Sequence, residues 1–187
     1  GGSPATSSDD NRFLLYDDVP STSYTTVNVD GNIGVFGGSS GRMVKPAVVT
    51  NNSIVTVWKY RDCEVTQIHT LCKSPASEVS DTVSVAYRVV NRGSGNREVG
   101  LRIMMDTSLG ETDGVPYQVP GHGLIDSEFE FTGDAVPQYW YSFDDLANPS
   151  VRAMGTLRGT GVLTPDRVVF AAWKRLSRAQ WKFSTSV

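Results

Sequence analysis

Cysteine and histidine are scarce in this chain, with two of each among 187 residues. Cys63 and Cys72 stand nine positions apart, unlike the C-x-x-C spacing of zinc and redox motifs. They flank an expected strand, Glu64 to Leu71. A disulfide in an oxidising compartment and a pair of unbridged thiols are both open readings. Basic charge is thin as well. The net charge is −3, and no basic run exceeds Lys174-Arg175. Nucleic acid is therefore not expected as the main partner, because phosphate binding needs a concentrated basic face. No stretch approaches the ~20 apolar residues that cross a bilayer as a helix, so no membrane span is expected. There is no G-x-S-x-G elbow to carry a serine nucleophile. Gly37-Gly38-Ser39-Ser40-Gly41-Arg42 lacks the Gly-Lys-Ser/Thr ending of a phosphate loop and reads as a glycine loop between strands. No period of roughly 20–50 residues recurs, which excludes propellers and solenoids.

What the chain has in quantity is strand. Hydrophobic residues make up 39%, aromatics 10% and charged residues 20%, a balance that supports a packed core. The opening GGSPATSSDDN has neither a charged n-region nor an apolar h-region, so residues 1–11 read as a linker, a tag scar or a mature N-terminus. From Phe13 onward short strands follow one another. Tyr24 to Val29 ends in the turn signal Asp30-Gly31. Ile54 to Tyr60 is β-branched and aromatic, as strands prefer, and Val65 to Leu71 follows it. Later strands are expected over Ser127–Phe131, Gln138–Phe143, Val151–Leu157 and Val168–Trp173, separated by Gly, Asn and Pro turn clusters. Only 143–147 and 174–180 offer short helical stretches. With 18 glycines and nine prolines punctuating the strands, the expected fold is all-β, a single antiparallel β-sandwich over residues 12–187. Trp181 to Val187 ends on a strand-like alternation without a closing turn. The expectation is a fragment lacking its C-terminal strands.

Residues 83–120 are the most informative stretch. Val83, Val85, Tyr87 and Val89 alternate with Ser84, Ala86 and Arg88, the two-residue period of a half-buried strand. A polar loop with two glycines, Asn91 to Asn96, turns the chain. Val99, Leu101, Ile103 and Met105 repeat the alternation and run into Asp-Thr-Ser-Leu-Gly at 106–110. This V-x-V-x-Y-x-V-x-N strand, polar loop, returning V-G-L-R strand and D-T-x-L-G loop resemble the large β-sandwich of the galactose-mutarotase-like, or supersandwich, group. The resemblance covers about the middle third of the chain. It implies the architecture, with the 106–110 loop at the rim of a concave face. The group spans sugar epimerases, domains of carbohydrate-active enzymes and non-catalytic modules, so the chemistry has to be read from the residues.

An epimerase of that kind needs a histidine acid and a carboxylate base across a cleft. The chain's two histidines do not match the group's paired spacing. His69 lies within a strand, where a hydrogen-bonded structural role is expected. His122 lies in the loop Pro120-Gly121-His122-Gly123, and Asp126, Glu128 and Glu130 follow on the strand face opposite Phe129 and Phe131. Glycoside hydrolysis needs two carboxylates about 5–10 Å apart. Asp144-Asp145, beside Tyr139, Trp140, Tyr141 and Phe143, is the local candidate, against a turn-forming role for the aspartates and a core role for the rings. If the chain is an enzyme, its candidate catalytic residues are His122, Glu128 and Asp144. Asp106 and Asp113 offer the hard oxygens that calcium prefers, against a role as turn caps.

The expected core includes Trp58, Tyr87, Leu101, Ile103, Trp140, Phe170 and Trp173, each on the apolar phase of its strand. Leu109, Val115 and Tyr117 should anchor the 106–114 loop. The functional expectation is a non-catalytic module of a larger extracytoplasmic protein, serving carbohydrate binding or assembly with a protein partner. The alternative is a carbohydrate-active enzyme domain.

Overall fold

The computed structural model describes residues 13–17, 21–73 and 79–186. The linker reading for residues 1–11 and positions 74–78 of the loop before Asp81 lie outside them. The chain is all-β, 50% strand and 5% helix, and the sheets are antiparallel. Contacts sort it into two compact units, one holding Tyr24–Met104 and the other Arg12–Ser23 with Met105–Val187.

In the first unit, β1 (Tyr24–Val29) and β2 (Asn32–Val35) form a hairpin. Its turn, Asp30-Gly31, has φ of 51° and 81°, which asparagine, aspartate and glycine tolerate best. A meander follows: β3 (Arg42–Thr50), β4 (Ser53–Tyr60), β5 (Cys63–Cys72) and β6 (Thr82–Asn91), paired in that order. Then β7 (Val99–Met104) pairs with β1, giving a second sheet ordered β2-β1-β7. The core lies between the sheets. Val27 and Val29 meet Trp58, Tyr60, Cys63 and Val65, all buried. Trp58 and Tyr60 stack with ring centroids 5.2 Å apart and planes 3° from parallel. Gly41 is required here, since a Cβ would run into the Trp58 ring and the Lys59 carbonyl.

Two expected core residues are exposed, Leu101 and Ile103. Their phase is as expected, because Leu101 pairs with Val27 and Ile103 with Thr25 on the face that carries the buried valines. Their strand is an edge strand. Gly34 of β2 sits against the Tyr60 ring of β4, and the Thr25 hydroxyl of β1 bonds the Tyr87 hydroxyl of β6. Among the described strands none pairs with the outer side of β7, while Val99 at its start packs on the core. Tyr87 is half-buried. Cys63 and Cys72 are free thiols at opposite ends of β5. A strand of that length separates them by about 30 Å, far beyond the roughly 7 Å Cα limit of a disulfide.

In the second unit, β8 (Ser108–Leu109) and β9 (Thr112–Asp113) make a small hairpin at Gly110, whose φ is 60°. Leu109 and Val115 are buried and hold the loop, as expected. The remaining strands are β10 (Tyr117–Val119), β11 (Gly123–Ile125), β12 (Phe129–Thr132), β13 (Tyr139–Phe143), β14 (Arg152–Thr156) and β15 (Arg167–Phe170). They form a sheet ordered β11-β10-β13-β14 and a β12-β15 pair. The core joins Val119, Phe131, Val136 and Phe170, with Tyr117 and Trp140 packed against it. Trp173 leaves the expected strand and opens a short helix, α1 (Trp173–Arg178), where it is half-buried. The 143–147 stretch is not helical, since the end of β13 runs into bends there.

Candidate functional site

Two of the three candidate catalytic residues, Asp144 and Glu128, are tied into structural hydrogen bonds. Asp144 Oδ1 accepts the N–H groups of Asp145, Ser150 and Val151 at 2.9–3.0 Å, and Oδ2 accepts the Ser150 hydroxyl. These bonds, the Ser150 hydroxyl first, hold its pKa down at about 2. Asp144 is the clasp of the β13–β14 loop, and Asp145 caps the same loop through the Ala147 and Asn148 amides. Glu128 accepts the Ser186 N–H at 2.9 Å and the Arg175 guanidinium. Chiefly the Ser186 amide lowers its pKa as well. Both carboxylates spend their oxygens on loop and chain-end donors of this chain.

His122 lies elsewhere in the same unit. Its ring packs on Phe129 at 4.1 Å and Phe131 at 5.3 Å between centroids. It borders an open hollow of about 430 Å³ walled by Pro120, Phe129, Glu130, Phe131 and Pro137 among others. Glu128 and Asp144 are not in its walls. Glu130 pairs with Arg167 at 2.7 Å across the β12-β15 ladder. His69 stays in β5, and burial lowers its pKa.

Asp106 and Asp113 also part company. Asp106 is 5% exposed, and its Oδ2 has no hydrogen-bond partner among the described residues. Its main chain is fixed by Tyr16, which donates to its carbonyl, and by Ser23, whose hydroxyl accepts its N–H. Asp113 is exposed, and its Oδ1 accepts the Gly114 N–H at 2.8 Å. Among the described residues no three His, Cys, Asp or Glu side chains gather as a metal-holding group.

The feature with binding character is the outward face of β13. Tyr117 and Val119 of β10 face inward, and Tyr117 pairs with Ser142, so Trp140 and Ser142 are also inward. Trp140 lies flat over Gly155, where a Cβ would meet the indole. Tyr139, Tyr141 and Phe143 therefore project from the opposite face, half-buried. Their rings form a ladder, 5.2 Å between the tyrosines and 6.2 Å from Tyr141 to Phe143. Pairing aligns Gln118 and Met154 on either side of Tyr141, with Leu124 next to Gln118. The Arg152 guanidinium stands 5.4 Å over the Tyr141 ring. Apolar ring faces thus sit among phenol, amide and guanidinium donors.

The rings were visible in the sequence, though core filling was the favoured role for them. Gln118, Arg152 and Met154 were missed, because only strand register brings them beside Tyr141. No protein-family model, curated protein or solved structure matches this chain.

Proposed function

We propose that this chain is a non-catalytic β-sandwich module of a larger extracytoplasmic protein, and that it binds carbohydrate on the outer face of β13. The observation that carries the reading is the solvent-facing ladder Tyr139-Tyr141-Phe143, flanked by Gln118 and Arg152. A sugar ring presents apolar C–H faces and a rim of hydroxyls. Aromatic rings that keep a polar handle suit the first, and fixed amide and guanidinium donors suit the second. The bonded state of Asp144 and Glu128 supports binding over hydrolysis or epimerisation. Polysaccharide ligands are matched to a module working outside the cytoplasm.

Affinity electrophoresis against a panel of neutral polysaccharides, with insoluble glycans in a pull-down, tests the proposal. At least one should retain the protein. Tyr141→Ala should weaken that retention at least about fivefold, the scale of an interface anchor. His122→Ala should leave it unchanged. Retention by none of the glycans, or retention indifferent to a Tyr139→Ala/Tyr141→Ala double variant, would sink it. Release of reducing sugar, abolished by Asp144→Asn, would instead establish the enzyme alternative.

A further inference from the structure

Basic charge is thin along the sequence, yet the end of the chain concentrates it. α1 stops at Arg178, where the Ala179 N–H bonds back to the Leu176 carbonyl. The chain then returns alongside the helix. Arg175 holds it there, donating to the Ser184 carbonyl at 3.3 Å and to the Ser186 hydroxyl at 2.6 Å. Beside this clasp lies an open hollow of about 300 Å³, walled by Arg175, Arg178, Ala179, Lys182, Phe183 and Ser184. Three of these six residues are cations.

The three are not equivalent. Arg175 is fixed: it binds Glu128, which offsets its charge, and its guanidinium lies 5.2 Å over the buried Phe183 ring. Glu130, two residues on from Glu128, is taken by Arg167. Arg178 and Lys182 are exposed and enter no ion pair or hydrogen bond among the described residues. Arg178 therefore does not cap the open carbonyls at the end of α1, the usual role of a cation in a last turn. Two uncompensated cations line one small hollow, and they repel each other unless an anion joins them.

We propose that this hollow is an anion site taking a phosphate or sulfate group, either as the free ion or as the ester of a small organic molecule. The Arg178 guanidinium offers a planar fork of N–H donors, and the Lys182 ammonium adds a compact charge. A tetrahedral group has oxygens enough to meet both at once, whereas one guanidinium fork uses up the two oxygens of a carboxylate. A volume of about 300 Å³ is at the low end of small-ligand sites, so the carbon body of an ester fits as well as the bare ion. The site shares no residue with the outer face of β13 and does not depend on glycan binding there.

Amide NMR titrations of the full chain test the proposal, at constant ionic strength with chloride as the balancing anion, so that general screening is matched. Inorganic phosphate and sulfate should shift the amides of residues 175–184 saturably, with millimolar affinity. Glycerol phosphate should do the same, and glycerol should not. Tighter binding of glycerol phosphate than of inorganic phosphate marks an ester site, and equal binding marks a site for the free ion. Arg178→Gln and Lys182→Gln should each weaken binding about three- to tenfold, the loss of one charge-assisted contact, and the double variant should abolish it. Lys174→Gln, on the same helix but outside the hollow, should change nothing. Arg178 and Lys182 are exposed and unpaired, so each variant should fold as the parent does. Absence of saturation by about 50 mM phosphate, where affinity is too weak to be specific, overturns the proposal. So do shifts spread over basic residues elsewhere, or a response untouched in the double variant.

Discussion

In the unit built on β1 to β7, Trp58 rests on Gly41 and is fully buried; in the other, Trp140 rests on Gly155 and stays partly exposed. Both tryptophans sit on the inward phase of a strand, and both need a glycine to lie flat. They differ in what covers them. A second sheet bearing Val27 and Val29 closes over the Trp58 cluster. Around Trp140 the cover comes from the rings of Tyr117 and Phe170, packed edge-on or tilted. The same residue type on the same strand phase therefore reports only direction. Burial depends on what stands opposite.

The comparison breaks or sharpens most clearly by truncation. Trp58→Ala should cost about 3–5 kcal/mol of unfolding free energy in a denaturant titration, while Trp140→Ala should cost less, because part of its ring is already in water. Equal losses would mean that the two cores are equally closed. The glycine seats come next. Gly41→Ala and Gly155→Ala each force a methyl into an indole, and each should lower stability by about 1–3 kcal/mol. A neutral Gly155→Ala would show that Trp140 is free to swing away.

A smaller stability effect is expected on the outer face of β13. Tyr141→Ala should lower the unfolding free energy by only about 0.5–1 kcal/mol, by losing its cross-strand contacts with Gln118 and Met154. Its larger effect should be on glycan retention. If stability falls as it does for Trp58, the rings are core and the binding face is lost.

The smallest effect concerns acid. Asp144 is depressed to about 2 from its ordinary 3.8, so its bonds stabilise the fold above the unfolded value and are lost as pH falls towards about 2. Urea midpoints measured from about pH 4 to about pH 2 should fall less steeply in Asp144→Asn than in the parent chain. A carboxyl NMR titration of Asp144 with a midpoint near the ordinary value would remove the clasp.

Much of the architecture could be read from the alternation of residues. Expected strands over 127–131, 138–143, 151–157 and 168–173 correspond to β12, β13, β14 and β15, with ends moved by a few residues. The hairpin at Asp30-Gly31 and the anchored loop after Asp106 also stand as expected. The candidate site was less legible. Asp144 was readable as either a turn former or a catalyst, and its four hydrogen-bond donors choose the turn. Asp106 and Asp113 lie seven positions apart, yet one is buried and the other exposed. Short sequence separation says nothing about where two carboxyls point across a hairpin.

The order of apolar and polar residues by itself determined that the chain forms antiparallel strands, where they turn and which side chains share a face. The period of two and the φ demands of Asp30-Gly31 are local, and local chemistry is written along the chain. Tertiary structure alone decided that Leu101 and Ile103 lie exposed on an edge strand, that Trp140 keeps part of its ring in water, and that Gln118 and Arg152 stand beside Tyr141. Those outcomes depend on strand register and on which sheet ends first. Both are set by pairings between residues far apart in sequence, and no single strand carries them.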